Sequence, residues 1–403
     1  MITVIGAGPA GLATAYHLRK RGLEYRVLEK EGVGSSWLRH YDRLRLNTIK
    51  ELSALPGLAM PREYPVYPSA SEFHSYLRTY AAHHGLRVEC NVDVSAANYC
   101  AGGWRLVTNR GEVRSDVLVV ATGTYGNPHR ARLPGENTYA GRILHSCEYR
   151  NAEPFKDLRV LVVGAGSSGV DIALDLSGRG VKVGLVVRDG INLVPRVTSP
   201  TLIRAATLLM KYRAIRTALA PLLRKFRRDF TSVGLPPHPR SLKDLTYRPV
   251  VGYELADAVR RGDVEIHPAI KRFTKSGVAF LTGAEVAFDA VIFATGYRPA
   301  LGIIRDEVDL DAEGYPVLEG SRSLKNPNLY CVGFSKAVFR RSGWLRSIGG
   351  IAGEAADQIA AGAGHRRVTD RRGPDIIAGR AGRTAPGPTL RRPASSRPST
   401  WSR

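Results

Sequence analysis

The sequence predicts an α/β protein built from two dinucleotide-binding domains, the second inserted in the first. Three observations predict it. A glycine-rich turn, GAGPAG (6–11), directly follows the apolar strand ITVI (2–5). A second turn of the same form, GAGSSG (164–169), follows RVLVV (159–163). Finally, DVLVVATG (116–123) is echoed by DAVIFATG (289–296), each after a hairpin-like stretch. An apolar strand ending in a glycine turn is what a chain needs to leave one sheet for another domain. The chain is therefore expected to leave the first domain after Gly123 and return after Gly296. Strand, glycine turn and helix make both cradles Rossmann-like, and two dinucleotides in one chain can pass electrons to each other.

In the first cradle, Gly6, Gly8 and Gly11 have separate tasks: a tight turn, close backbone approach to a pyrophosphate, and close packing of helix on strand. Pro9 suits the first helical turn, where its missing N–H would be unpaired anyway, and Ala10 completes the motif. LATAYHLRKRGL then recurs at helical spacing. The strand YRVLE (25–29) ends on Glu29, eighteen residues past Gly11, followed by Lys30. A carboxylate there can accept both hydroxyls of an adenosine ribose. The segment 32–57 holds Ser36 and Trp37, just after a glycine turn, and Asn47 and Thr48 in LRLNT. No redox cysteine pair precedes Cys90, which argues against disulfide chemistry.

YPVYPSASEFHSYLRTYAAHHGL (64–86) predicts a helix capped by Ser69 or Ser71, with Phe73, Tyr76, Leu77 and Tyr80 as its buried stripe. His83 and His84 favour its C-terminus rather than a metal. RVECNVDV, whose Val94 is counted as a cofactor contact, leads to a hairpin and then to Thr122 and Gly123 at the first crossover.

The second cradle is formed by Gly164, Gly166, Ser167, Ser168 and Gly169, with Thr295 and Gly296 at the return crossover. Its second strand, VKVGLVV (181–187), carries no acid at Val187; Arg188 follows. A guanidinium pairs with the 2′-phosphate that an acid would repel, so this site favours NADPH over NADH. The helix 349–362 closes the first domain, its N-terminus available to a cofactor.

The net charge of +23 is local. Residues 364–403 hold ten Lys/Arg against two Asp/Glu, and residues 196–248 hold twelve against two. The catalytic body is not a polycation, and no specific nucleic-acid partner is expected. Residues 197–232 are helical, basic and apolar, expected as a cap that excludes water, with peripheral membrane contact as the alternative. Residues 363–403 are expected to be a disordered basic tail. The four scattered cysteines suggest reduced thiols and a cytoplasmic protein. No apolar run is long enough to span a bilayer, no secretory leader is expected, and no metal cluster is evident.

On these motifs the chain resembles the flavin-containing monooxygenase family, closest to its YUCCA-type branch, over about residues 1–362. The family motif F-x-G-x-x-x-H-x-x-x-[Y/F] falls on Tyr139, Gly141, His145 and Tyr149, with Tyr for the leading Phe. Baeyer–Villiger relatives carry Trp at the position of Tyr149. SWLRHYDRLRLNT resembles the segment that brings an Asn, or a His in YUCCA-type enzymes, to the flavin, which places Asn47 there. LVVRDGINLVPR resembles the NADP-phosphate segment and supports Arg188 and Arg196. Ser167 departs from the usual GxGNSG.

The resemblance implies FAD in the first cradle, NADPH in the second, and an inserted NADP domain at 151–295 between two FAD-domain parts, 1–150 and 296–362. It implies an NADPH- and dioxygen-dependent monooxygenase whose flavin hydroperoxide oxygenates a small amine or sulfide, or decarboxylates a 2-oxo acid. Asn47 is then the catalytic amide, Trp37 packs beside the flavin, and His145 is structural. A reductase or oxidase that releases peroxide is the alternative, with a basic nucleic-acid-binding module behind it. The motifs indicate neither substrate nor oligomeric state.

Overall fold

The computed structural model describes residues 1–100, 102–197, 229–235, 237–239, 249–334 and 344–370, with Ser199 and Thr201; residues 363–370 are described as backbone alone. Two largely parallel sheets organise residues 1–334. Their central strands, ITVI, VLVV, RVLVV and AVIF, are apolar at nearly every position, as strands covered on both faces must be.

The first sheet has the order Leu318–Glu319, Arg322–Ser323, Leu329–Cys331, Val117–Val120, Ile2–Ile5, Tyr25–Leu28 and Val88–Glu89. The second has the order Val264–His267, Lys182–Val186, Arg159–Val163, Ala290–Phe293 and Arg142–His145, all parallel. Every strand of the second sheet lies in sequence between Val120 and Leu329, so the second nucleotide fold is an insertion in the first. Each sheet also carries a three-stranded antiparallel module, at 94–115 and 270–287, directly before its crossover strand.

The boundary between the first domain part and the insert lies earlier than residue 150. Arg142–His145 already pairs with Ala290–Phe293 at the edge of the second sheet. Tyr139 explains this placement. Its hydroxyl donates to the Phe288 carbonyl at 2.7 Å, and burial pushes it up to about 12, so it remains a donor. Gly141 must be glycine here. An added Cβ would lie 2.6 Å from the Asp289 carbonyl oxygen and overlap the Tyr139 hydroxyl.

The two crossovers pair with each other. Asn127–Pro128 and Tyr297–Arg298 form a short antiparallel ribbon. It is extended by the His129 amide on the Gly296 carbonyl at 3.0 Å and the Thr295 hydroxyl on the His129 carbonyl at 2.6 Å.

The helix Ala70–His83 starts at Ser69, which forms a reciprocal capping box with Glu72. Phe73, Tyr76, Leu77 and Tyr80 are buried, as the spacing predicts. The closing helix is longer than expected and runs over Trp344–Asp370. Its glycines mark close packing, not a start: a Cβ on Gly349 would lie 2.6 Å from Pro56, and the Gly349 carbonyl meets His17 Nε2 at 3.0 Å. The helix also continues past residue 363, where a disordered tail was expected; no proline interrupts GHRRVTD. The rest of that tail, 371–403, and most of the expected cap, 202–228, lie outside the described residues. The described part of the cap region includes a short 3₁₀ turn at Thr231–Val233, flanked by buried Phe230 and Leu235.

Candidate functional site: two glycine cradles and their crossovers

The two cradles repeat each other in detail. Gly6 and Gly164 have φ of +102° and +112°, a region open to glycine. A Cβ on either would lie 2.7 Å from the carbonyl oxygen of Ala121 or Ala294, the alanine of the neighbouring Ala-Thr-Gly. A Cβ on Gly11 or Gly169 would overlap the carbonyl oxygen of Gly6 or Gly164. Each turn is thus wedged between its own helix and the crossover strand, which is why the Ala-Thr-Gly echo accompanies the glycine motif.

Gly8 and Gly166 behave differently. Nothing lies within 4 Å of a Cβ added to either, so their backbone faces open space. Each is the N-cap of its helix, Pro9–Lys20 or Ser167–Ser177, without a side-chain cap or an acid in the first turn. Such helix ends present amide hydrogens and a positive dipole end to an anion. Both cradles fit a pyrophosphate.

Around the first cradle the structure gathers several predicted residues. The Glu29 carboxylate accepts the Ala7 amide at 2.6 Å and the Glu31 amide at 3.1 Å, and keeps lone pairs for further donors. The Gly34 amide donates to the Ala7 carbonyl at 3.1 Å, which ties the 3₁₀ helix Ser35–Arg39, with Ser36 and Trp37, to the turn. Trp37 meets Phe73 edge-on at 4.6 Å. Thr122 Oγ1 is buried without a hydrogen-bond partner among the described residues, and Gly123 has a φ of +79°. A polar cofactor edge suits that orphan hydroxyl.

The remaining predicted residues make contacts of their own. Lys30 reaches out to Asp93 at 3.6 Å. Val94 is buried in the core with Ile5 and Leu28. Asn47 is exposed, on a turn held by Thr48 Oγ1 against Ser53 Oγ at 2.6 Å and by the Leu46 amide on the Pro68 carbonyl at 2.8 Å. In the second cradle Ser167 and Ser168 open the helix. Arg188 is well exposed and pairs with its neighbour Asp189 at 2.7 Å. Arg196 contacts Glu254 at 3.3 Å and the Val251 carbonyl at 3.2 Å, over the Tyr67 ring.

His145 joins the motif to the crossover. The Cys147 amide donates to its Nδ1 at 3.3 Å, so Nε2 carries the proton and donates to the Gly296 carbonyl at 3.1 Å. Burial holds this histidine below its usual range, consistent with a neutral ring. Tyr149 donates to Asp175 at 2.7 Å on the second cradle's helix. Sequence reasoning missed Tyr41, whose hydroxyl donates to Asp171 at 3.0 Å on the same helix. Its only signal was a tyrosine among the polar residues of SWLRHYDRLRLNT.

Among the described residues no group of three or more potential metal ligands occurs, and no helix is long and apolar enough to cross a membrane.

Residues 3–204 match a family profile described as pyridine nucleotide-disulphide oxidoreductase. The chain is 36% identical over 355 residues to indole-3-pyruvate monooxygenase YUCCA1 of Oryza sativa subsp. japonica, spanning 83% of this chain and 86% of that one. Among solved structures it resembles a flavin-containing monooxygenase from Stenotrophomonas maltophilia at 25% identity and a TM-score of 0.73, covering 90% of this chain and 98% of that one. A cyclohexanone monooxygenase shares the fold at 19% identity and a TM-score of 0.68, covering 91% of this chain and 88% of that one.

The cradles generate a contrasting pair of variants. Gly8→Ala is expected to keep the melting temperature of the FAD-free protein but to purify with much less FAD, since its methyl enters the pyrophosphate path. Gly11→Ala is expected to lose more than about 3 kcal/mol of stability through overlap with backbone. Absorbance at flavin wavelengths and thermal melts check both.

Proposed function

Because the chain belongs to the YUCCA-type branch of the flavin-containing monooxygenase family, we propose that it converts a 2-oxo acid, with NADPH and dioxygen, into the acid one carbon shorter and carbon dioxide. The chain is a flavin-dependent monooxygenase with FAD and NADPH as cofactors. It acts on a small molecule with dioxygen. The 2-oxo acid rests on one observation: the YUCCA1 relative that spans 83% of this chain is named for indole-3-pyruvate. FAD held in the first cradle would supply the hydride acceptor for NADPH and the means to activate dioxygen.

The chain's own residues bind, orient and exclude water. The amides of the 6–11 turn hold one pyrophosphate, and those of 164–169 hold the other. Glu29 takes the adenosine ribose of FAD, while Ser36, Trp37, Thr48 and Thr122 line the flavin side. Thr295 and Gly296 border the NADPH side, and Arg188 exchanges Asp189 for the 2′-phosphate. We place the first domain at 1–122 and 296–362 and the inserted domain between them, with Arg142–His145 in the insert. The exposed Asn47 amide is free to donate to the reacting centre or to orient the nicotinamide. A dry cleft with fixed donors suppresses peroxide release. No side-chain general base is needed. The scattered thiols are those of a reduced, cytoplasmic protein.

The test is a balance sheet of the reaction. With aromatic and aliphatic 2-oxo acids, one carbon dioxide is expected per NADPH oxidised. Oxygenation of amines or sulfides instead, or stoichiometric peroxide with every candidate unchanged, would overturn the proposal.

Two variants follow. Asn47→Ala should still let NADPH bleach the flavin while peroxide per NADPH rises several-fold; unchanged coupling removes its role. Arg188→Ala should reduce the kcat/KM preference for NADPH over NADH about tenfold, the loss of a bidentate phosphate contact; an unchanged ratio removes it from the phosphate site.

A further inference from the structure

The segment ahead of Asn47 is built into both nucleotide folds within a few residues. Tyr41, only 4% exposed, is part of the second fold's apolar core, and Leu44 packs against that core. Leu46, 4% exposed, belongs to the first fold's core. Backbone contacts divide in the same way. The Asp42 amide donates to the Arg150 carbonyl at 2.9 Å, and Arg150 returns hydrogen bonds to the Leu38 and His40 carbonyls at 2.7 Å each. On the other side, the Ala70 amide donates to the Leu44 carbonyl at 3.1 Å and the Lys50 amide to the Val66 carbonyl at 2.9 Å. The segment is a strut between the folds.

Its polar end is specific. The Tyr41 hydroxyl donates to Asp171 Oδ2 at 3.0 Å, with Ser168 beside it. Asp171 lies about one turn past Ser167 and Ser168, which open the second cradle's helix. A shift of that helix would move the amides that face the nucleotide pyrophosphate. Burial raises the Asp171 carboxyl, against the pull of Tyr41, Arg43 and Arg196, while Glu254 adds to the rise. A buried acceptor of this kind is costly to leave unpaired.

A second pair supplies an internal comparison. Tyr149, 1% exposed, donates to Asp175 at 2.7 Å, one helical turn beyond Asp171, and its ring lies 6.5 Å from that of Tyr41. The two pairs share chemistry, depth and helix. They differ in origin, since Tyr149 follows the Arg142–His145 strand of the second sheet, whereas Tyr41 comes from the first fold.

We propose that Tyr41 is a positioning residue for the nicotinamide nucleotide, its hydroxyl on Asp171 setting the second cradle against the flavin-side segment that ends in Asn47. Binding a ligand across two folds is tighter when their spacing is set beforehand, because less ordering is left to the binding step. Tyr149 stabilises the same helix from within its own fold and has no part in this spacing. The proposal rests on NADPH occupying the second cradle.

The experiment titrates NADP⁺ into FAD-loaded full-length protein and follows the flavin absorbance, alongside FAD content and thermal melts. Tyr41→Phe keeps the ring and removes only the hydroxyl. It is expected to weaken NADP⁺ about tenfold while FAD content stays at the wild-type level. Tyr149→Phe is expected to lower the melting temperature with NADP⁺ affinity unchanged. Asp171→Asn, which keeps an acceptor for the Tyr41 hydroxyl, is expected to bind NADP⁺ more tightly than Tyr41→Phe. An unchanged affinity in Tyr41→Phe overturns the proposal, as does an equal loss in Tyr149→Phe. Wild-type protein that binds no NADP⁺ would instead overturn the placement of the nucleotide itself.

Discussion

The antiparallel contact between the two crossovers is the constraint on which the rest depends. Asn127–Pro128 and Tyr297–Arg298 leave their sheets from the ends that carry the glycine turns. Pairing them brings the carboxyl ends of two parallel sheets to a common junction, where ligands of open α/β sheets bind. His145 fixes this junction by donating to the Gly296 carbonyl. Electron transfer between two bound cofactors needs such a junction, since neither sheet alone positions both.

Much of this was legible because it rests on backbone geometry with few solutions. Gly6 and Gly164 announce a positive φ and a near-contact with Ala121 and Ala294, and no larger residue meets both demands. The capping box at Ser69 and the stripe at Phe73, Tyr76, Leu77 and Tyr80 were visible for the same reason: they are local. Gly349 misled because a helical glycine that admits Pro56 looks in sequence like a helix start. Tyr41 was invisible because its meaning lies 130 residues away, in Asp171. The domain boundary expected at residue 150 comes too late because the pull of Phe288 and Asp289 on Tyr139 and Gly141 also acts at long range.

The family motif gains a physical reading from these contacts. Tyr139 anchors the incoming strand, Gly141 permits its close approach, His145 ties it to the return crossover, and Tyr149 holds the helix behind it. None of the four need touch substrate. The motif describes how the entering strand is seated in the insert's own sheet and, through His145, tied to the return crossover. In this chain the tyrosine that replaces the usual leading phenylalanine adds a hydrogen bond that phenylalanine cannot make.

Cys331 sits fully buried on the Leu329–Cys331 strand, next to the first crossover strand. Burial raises its thiol to about 12, so almost none of it is thiolate at neutral pH. Thiolate, not thiol, is the form that peroxide oxidises to sulfenic acid. The first sheet thus carries a sulfur that burial keeps in the less reactive thiol form, out of reach of an oxidant that meets the more exposed side chains first.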